Sequence, residues 1–121
     1  MKHIVRVILL LAVMFSASGH GMMVTVTGAG TDSCGDWVVA ENAGGTPQFI
    51  YKTWVDGYLT GFNMSTILKK DILREKGIPE IYVLISDYCK KNPVKSIMMA
   101  TNYIAVNVLG KPSNPDQTTP K

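Results

Sequence analysis

Apolar residues recur at spacings of three and four along most of the chain, which is the pattern of helices that bury one face. The clearest case lies in the middle of the sequence, where every fourth residue is aromatic or aliphatic: Ile50, Trp54, Tyr58 and Phe62. Thr46-Pro47 supplies a capping hydroxyl followed by a proline at the first helical position. We therefore expect a helix from there to about Asn63, with those four residues as its buried stripe.

A preceding helix is predicted from an N-cap at Asp32 or Ser33 to about Asn42, because Gly44 and Gly45 follow closely and would end it. One face of this helix would carry the following residues: Cys34, Trp37, Val38 and Glu41.

The second half of the chain predicts one short polar helix and two amphipathic ones. The polar segment, residues 69–76, ends at Gly77, and Pro79 opens the next helix. The inward face of that next helix would carry Ile81, Leu84, Ile85, Tyr88 and Cys89. Asn92-Pro93 repeats the cap-then-proline signal and predicts a last helix that ends at Gly110. Its inward positions are again spaced by three and four: Val94, Ile97, Met98, Thr101, Ile104, Ala105 and Val108.

Two glycines, Gly57 and Gly61, lie beside the aromatic stripe and four residues apart. Glycine inside a helix costs about 1 kcal/mol relative to alanine, so the pair needs a physical reason. We interpret the pair as the place where another helix backbone approaches closely. The alternative interpretation is a ligand or a protein partner lying across this smooth face.

The two ends of the chain differ from its middle. Residues 1–19 combine a basic start, an apolar run of nine residues and a small-residue site at Ser16-Ala17-Ser18-Gly19, which is typical of a cleaved signal peptide. A membrane span needs about 20 apolar residues, so a stable span is not expected after cleavage. Residues 20–32 would form an extended arm, residues 33–110 the helical domain, and residues 111–121, with three prolines, a disordered tail. The fold class predicted is all-α, a small bundle of four or five helices.

Cys34 and Cys89 are the only cysteines, and exported chains fold where disulfides persist. We expect one structural bridge between them, closing a loop of 89 − 34 = 55 positions. Loop-closure entropy gives such a bridge about 4 kcal/mol of stabilisation. A redox or metal pair fits poorly, because neither the Cys-x-x-Cys spacing nor a nearby histidine is present.

Charge and composition argue against several classes of function. After residue 19 the chain has ten Lys/Arg and nine Asp/Glu, a net charge of 10 − 9 = +1, which gives nucleic-acid binding no support. His20 is the only histidine there, so the usual general base and the commonest zinc ligand are missing from the domain. Four carboxylates that could act as general acids or bases are scattered without a paired arrangement: Asp56, Asp71, Glu80 and Asp87. We expect no enzyme activity, no metal and no cofactor.

The segment from Ile78-Pro79-Glu80 to Asp87-Tyr88-Cys89-Lys90-Lys91-Asn92-Pro93 resembles the periplasmic acid-stress chaperones HdeA and HdeB, HdeB more closely. In that family a proline opens a helix that ends in Tyr-Cys-Lys-Lys-Asn-Pro, and its cysteine pairs with one in the first helix. Cys34, with Trp37 three residues later, matches the first-helix half of the pattern. The resemblance implies an exported, mostly helical protein with one bridge.

The middle of the chain departs from that pattern. Trp54 to Asn63 contains a Gly-Tyr-aliphatic-x-Gly helix and is followed by Asn92-Pro93 and an apolar helix with Ala100 and Ala105. This order is similar to the Rap/Tai-type immunity proteins, exported helical proteins that neutralise cell-wall amidase toxins delivered by type VI secretion. Both resemblances imply a periplasmic protein whose partner is another protein.

Two functions follow as expectations. The first is an HdeA/HdeB-like stress-response chaperone that opens in acid and offers apolar faces to unfolding clients. The second is an immunity protein with a preformed surface that binds one toxin. The residues expected on a protein-binding face, or alternatively in the core, are aromatic or glycine: Trp37, Trp54, Gly57, Tyr58, Gly61, Phe62 and Tyr88. Self-association as a homodimer is compatible with either function.

Overall fold

The computed structural model describes residues 25–65 and 70–111, and within these ranges the chain is helical and contains no strand. A short 3-10 turn, Gly28–Thr31, precedes four helices. They are α1 (Cys34–Ala43), α2 (Gly45–Met64), α3 (Ile78–Lys91) and α4 (Ile97–Ile104), the last continued by a π-helical turn, Ala105–Leu109. The predicted all-α bundle is confirmed. The predicted signal peptide, the start of the arm and most of the tail lie outside the described residues.

Helix α1 begins where the sequence predicts, at an N-cap on Ser33. The Ser33 hydroxyl accepts a hydrogen bond from the backbone N–H of Asp36 (3.1 Å), and the Asp36 carboxylate accepts one from the backbone N–H of Ser33 (3.1 Å). This reciprocal capping satisfies two N–H groups that the first helical turn leaves without partners.

The disulfide between Cys34 and Cys89 is confirmed, with their Cα atoms 4.6 Å apart. It joins the first residue of α1 to the last turn of α3, and both cysteines are fully buried. The core around the bridge is formed by Trp37 of α1 and by aliphatic residues of the other three helices: Val55, Leu59, Ile81, Ile85, Ile97 and Ile104. The bridge therefore lies inside the core and not on its edge.

The buried face of α2 is not the predicted one. Its fully buried residues are Val55 and Leu59, whereas Ile50 is 53% exposed. Trp54, Tyr58 and Phe62 are half-buried at the border of the core. The physical reason is that four residues advance a helix by about 40° more than one turn, so a strict every-fourth stripe winds away from any single face.

Helix α4 begins later than the Asn92-Pro93 signal predicts, at Ile97 with Ser96 as its N-cap. Residues 93–95 form a turn instead, and Val94 is 90% exposed. The carbonyl of Lys95 accepts a hydrogen bond from the N–H of Cys34 (2.7 Å), and that of Pro93 accepts one from Gly35 (3.0 Å). These two carbonyls thus bind N–H groups of the first turn of α1. In a helix they would instead bind N–H groups of their own helix.

The predicted polar helix at residues 69–76 is also wrong over its described part, where residues 70–76 form turns. Asn63, near the end of α2, fixes this segment, because its side chain accepts a hydrogen bond from the N–H of Ile72 (2.8 Å) and donates one to Asp71 (2.9 Å). Ile72 is thereby buried in the core. Burial of Ile72 and the hydrogen bonds from Asn63 therefore outweigh the local helix preference of this segment.

The end of the predicted extended arm is structured. The backbone carbonyl of Thr27 accepts a hydrogen bond from the indole N–H of Trp54 (2.9 Å). Gly30 is buried beneath the same ring, so close that a Cβ there would overlap it. Residues 27–31 therefore pack on α2 as part of the domain. Over the described ranges, no helix combines the length and the apolar character needed to cross a membrane.

Candidate functional site

Three aromatic rings from three helices form a layer between α1, α2 and α3. The ring of Trp37 lies 6.4 Å from that of Tyr51 and 6.3 Å from that of Tyr82, both tilted by about 50°. Trp37 is 2% exposed, and the two tyrosines are half-buried. We call these three residues the aromatic layer.

The indole N–H and the two phenol hydroxyls of the aromatic layer are each connected to a carboxylate by hydrogen bonds. The indole N–H of Trp37 donates to the hydroxyl of Ser86 (2.9 Å), which donates to the carboxylate of Glu41 (2.7 Å). Trp37 and Glu41 are both on α1, and Ser86 is a buried residue of α3, so this relay connects the two helices. The first link is enclosed in the core, where an unpaired N–H would be costly.

The hydroxyls of the two tyrosines form hydrogen bonds with carboxylates of neighbouring segments. The hydroxyl of Tyr51 donates to Asp32 (3.0 Å), and that of Tyr82 donates to Asp56 (2.6 Å). Burial, followed by the hydrogen bond to Asp32, raises the pKa of Tyr51 to about 12. The pKa of Tyr82 is raised too, by burial and by Asp56. The Lys52 ammonium lies 4.8 Å from the centre of the Tyr82 ring, a cation–π contact.

The aromatic residues singled out on α2 form a second row that faces the domain. Ring centres are 5.4 Å apart between Trp54 and Tyr58, and 6.3 Å apart between Tyr58 and Phe62. The Tyr58 hydroxyl donates to the side-chain oxygen of Asn102 on α4 (2.9 Å), and burial raises the pKa of Tyr58. These contacts give the row a packing role in the folded state.

Gly57 and Gly61 do not mark a close helix–helix contact within the described chain, so that interpretation is wrong there. Both are exposed, and a Cβ added at either position would meet no neighbouring group within 4 Å. They belong to the outer face of α2, which we define by its exposed residues: Thr46, Phe49, Ile50, Thr53, Gly57, Thr60, Gly61 and Met64. None of these residues is charged.

Tyr88 is brought together with a residue that the sequence did not single out. Its ring lies 5.0 Å from that of Tyr103 on α4, and the two rings border an open groove of about 440 Å³ between α3 and α4. Leu84, Asp87 and Lys91 line the α3 side of this groove. We call it the tyrosine groove.

Sequence reasoning missed the partners that organise these sites: Asp32, Glu41, Tyr51, Asp56, Tyr82, Ser86, Asn102 and Tyr103. Each is separated from its partner by 15 or more positions, for example 19 for Tyr51 and Asp32 and 45 for Ser86 and Glu41. Helical periodicity reports which face a residue occupies but not what lies opposite. Across residues 25–65 and 70–111, no three His, Cys, Asp or Glu residues are grouped so that they could hold a metal ion.

No family model, no characterised protein and no solved structure matches this chain. The candidate residues are therefore interpreted from their own contacts. Three features stand out: the interior aromatic layer with its hydrogen bonds to carboxylates, the uncharged outer face of α2, and the tyrosine groove between α3 and α4.

Proposed function

We propose that this chain is a small, exported, non-catalytic chaperone of the HdeA/HdeB-like kind, which opens in acid and holds other unfolding proteins in the periplasm. The proposal rests on one observation. Each residue of the aromatic layer is connected to a carboxylate by hydrogen bonds, directly for the two tyrosines and through Ser86 for Trp37. The carboxylates are Asp32, Glu41 and Asp56.

The strength of these three hydrogen bonds depends on the charge of the carboxylates. A hydrogen bond to an ionised carboxylate is roughly twice as strong as one between neutral groups, so loss of the carboxylate charge would weaken each of the three bonds. The three bonds connect α1 with α3, α2 with α3, and α2 with the residues before α1. Their joint weakening would loosen the contacts that keep Trp37, Tyr51 and Tyr82 covered.

The cap of α1 responds in the same direction. Hydrogen bonds from the hydroxyl and then the backbone N–H of Ser33 hold the pKa of Asp36 below its ordinary value of 3.8. A folded-state pKa below the unfolded value stabilises the folded chain above that unfolded value. This contribution is lost as the pH falls through the folded-state pKa, so acid also frays the start of α1.

Net charge and the disulfide together determine the form that the protein is expected to adopt in acid. After residue 19, protonation of all nine side-chain carboxyls changes the charge from 10 − 9 = +1 to 10 − 0 = +10, which adds self-repulsion to the compact state. The bridge between Cys34 and Cys89 stays covalent and keeps α1 and α3 joined. The expected acid form is expanded yet still cross-linked, with its aromatic layer accessible to clients.

The test compares carboxylates that close the aromatic layer with one that does not. Asp56→Asn and Glu41→Gln should shift acid opening, followed by near-ultraviolet circular dichroism and by binding of a hydrophobic dye, to higher pH. Asp87→Asn removes an exposed carboxylate of α3 outside the layer and should leave the midpoint unchanged.

The opened wild-type protein at about pH 3 should also suppress aggregation of a client protein. Folding unchanged at that pH, or equal midpoints for the layer and control variants, would contradict the proposal.

A second candidate function is favoured by the tyrosine groove. It is already formed in the folded state, and on its α4 side it is lined by Tyr103, which is 47% exposed. Paired tyrosines at a preformed groove suit the hot spot of an immunity protein that binds one toxin.

This candidate predicts one stoichiometric partner at neutral pH, a secreted amidase that the chain inhibits. Tyr103→Ala should then weaken the complex at least tenfold, whereas Val94→Ala, at another exposed apolar position, should not. An absence of any partner at neutral pH would remove this candidate.

A further inference from the structure

The outer face of α2 is a long exposed surface without charge. The helix has 20 residues, and its two charged side chains, Lys52 and Asp56, are half-buried and both contact Tyr82. Among the residues left exposed, Phe49 is 67% and Met64 is 78% accessible. A surface helix normally presents charged residues to water. A long uncharged face that exposes the large apolar side chains of Phe49, Ile50 and Met64 indicates an interaction surface.

The spacing along this face is that of a seam between two helices. The sequence positions of six exposed residues differ by four, three, four, three and four: Thr46, Ile50, Thr53, Gly57, Thr60 and Met64. Alternation of three and four is the pattern with which two helices pack at a shallow angle along their length. This order of intervals is the same in both chain directions, so the positions on one helix align with those on an antiparallel copy.

The sizes of the residues match their own reverse as well. About a centre between Thr53 and Gly57, an antiparallel copy places Ile50 opposite Thr60, and Met64 opposite Thr46. The adjacent Phe49 falls opposite Gly61. Every large side chain thus meets a small residue, and the two helices approach most closely at Gly57, where no neighbouring group occupies the space of a Cβ.

We propose that the outer face of α2 is a self-complementary interface at which two copies of this chain pack antiparallel about a two-fold axis near Thr53 and Gly57. A two-fold interface uses the same patch on both subunits, so the large residues of one copy must meet small residues of the other, as they do on this face. A different partner would not require this match. The absence of exposed charge also removes repulsion between the identical faces. One helix pair is a small interface, so the dissociation constant is expected in the micromolar range.

The first test measures the mass of the oxidised protein by sedimentation equilibrium at neutral pH over a wide range of concentration. The wild type should form a dimer as the concentration rises. Gly57→Lys places a charge at the axis and should weaken association at least tenfold, with the helical circular dichroism of the monomer retained. Val83→Lys adds the same charge at an exposed position of α3 and should not change association.

The second test examines the register. Gly61→Phe alone sets two aromatic rings against each other at each end of the interface and should weaken association at least tenfold. The exchange Phe49→Gly with Gly61→Phe restores one large and one small residue at that contact and should recover association to within about threefold of the wild type. Recovery is specific to the antiparallel register.

Three results would overturn the proposal. One is a wild-type protein that stays monomeric at every concentration. Another is equal association of the Gly57→Lys and Val83→Lys variants. The third is protection of α2 from hydrogen exchange that stays the same at every protein concentration. Such protection would mean that another part of the same chain covers the face. None of these results depends on whether the protein opens in acid, so this proposal and the chaperone function are tested separately.

Discussion

The hydroxyl of Ser86 holds the relay that joins α1 to α3. It is 2% exposed and both accepts from the Trp37 indole and donates to Glu41, so it serves a donor and an acceptor at the same time. A buried donor without an acceptor costs about 1–3 kcal/mol, more than the hydrogen bond itself contributes. The aromatic layer therefore depends on a residue that is not aromatic.

We predict that Ser86→Ala lowers the free energy of unfolding by about 1–3 kcal/mol, because it leaves the buried indole N–H of Trp37 unpaired. Urea unfolding followed by circular dichroism measures this loss. In a Trp37→Phe background, which has no N–H to strand, the cost of Ser86→Ala should be clearly smaller. Equal costs in the two backgrounds would contradict the relay.

Two glycines should respond in opposite directions to the same substitution. Gly30→Ala would press a methyl group into the ring of Trp54 and should destabilise the domain by about 1–3 kcal/mol. Gly57→Ala meets no neighbouring group and removes a poor helix former, so it should stabilise the monomer by up to about 1 kcal/mol. Chemical denaturation at a concentration too low for association compares them. Loss of stability in both variants would argue against the exposed placement of Gly57.

Three phenol hydroxyls connect helix α2 to its neighbours by hydrogen bonds. Tyr51 reaches Asp32 before α1, Tyr58 reaches Asn102 on α4, and Tyr82 of α3 reaches Asp56 on α2. Each bond is made by the protonated phenol. These hydrogen bonds are therefore sensitive to alkaline pH, at which the phenol loses the proton that it donates.

For Tyr51 the window follows from its pKa. An unfolded tyrosine ionises near pH 10, whereas the folded-state pKa is about 12. A folded-state pKa above the unfolded value gives stability that is complete below about pH 10 and is lost as the pH rises towards 12. We predict a progressive fall in the free energy of unfolding over that interval. Tyr51→Phe should show a shallower fall, measured by urea titrations at successive pH values, and an identical slope would refute the assignment.

The molecule as a whole is organised around its disulfide. Backbone hydrogen bonds from Cys34 and Gly35 to the turn before α4 surround the bridge, so α1, α3 and the start of α4 meet at one point. Its sequence separation of 55 positions makes the bridge a large restraint on the unfolded chain. A small domain has a total stability of only about 5–15 kcal/mol.

Replacement of both cysteines, Cys34→Ala with Cys89→Ala, is expected to lower stability by about 4 kcal/mol, within the 2–5 kcal/mol usual for small exported domains. Thermal unfolding of the variant should match that of the wild type kept under reducing conditions. Two reactive thiols counted in the native oxidised protein would contradict the bridge.

Local chemistry was sufficient to predict several features of the fold. Ser33 caps α1 because a hydroxyl three residues before an acidic side chain satisfies the first N–H groups of a helix wherever it occurs. Pro79 lies at the start of α3, and Gly110 follows the last helical turn, for equally local reasons. The pairing of Cys34 with Cys89 could be predicted because the sequence contains only these two cysteines.

Tertiary structure decided the features that depend on what lies opposite a residue. It turned α2 so that Val55 and Leu59 face the core, because a helix of 20 residues has one buried face and a strict every-fourth stripe winds off it. It kept residues 93–95 out of α4, because their carbonyls bind the N–H groups of α1. It also joined Trp37 to Glu41 through Ser86, across 49 and 45 positions. Contacts at such separations depend on how helices pack, and the periodicity of one helix contains no information about its neighbours.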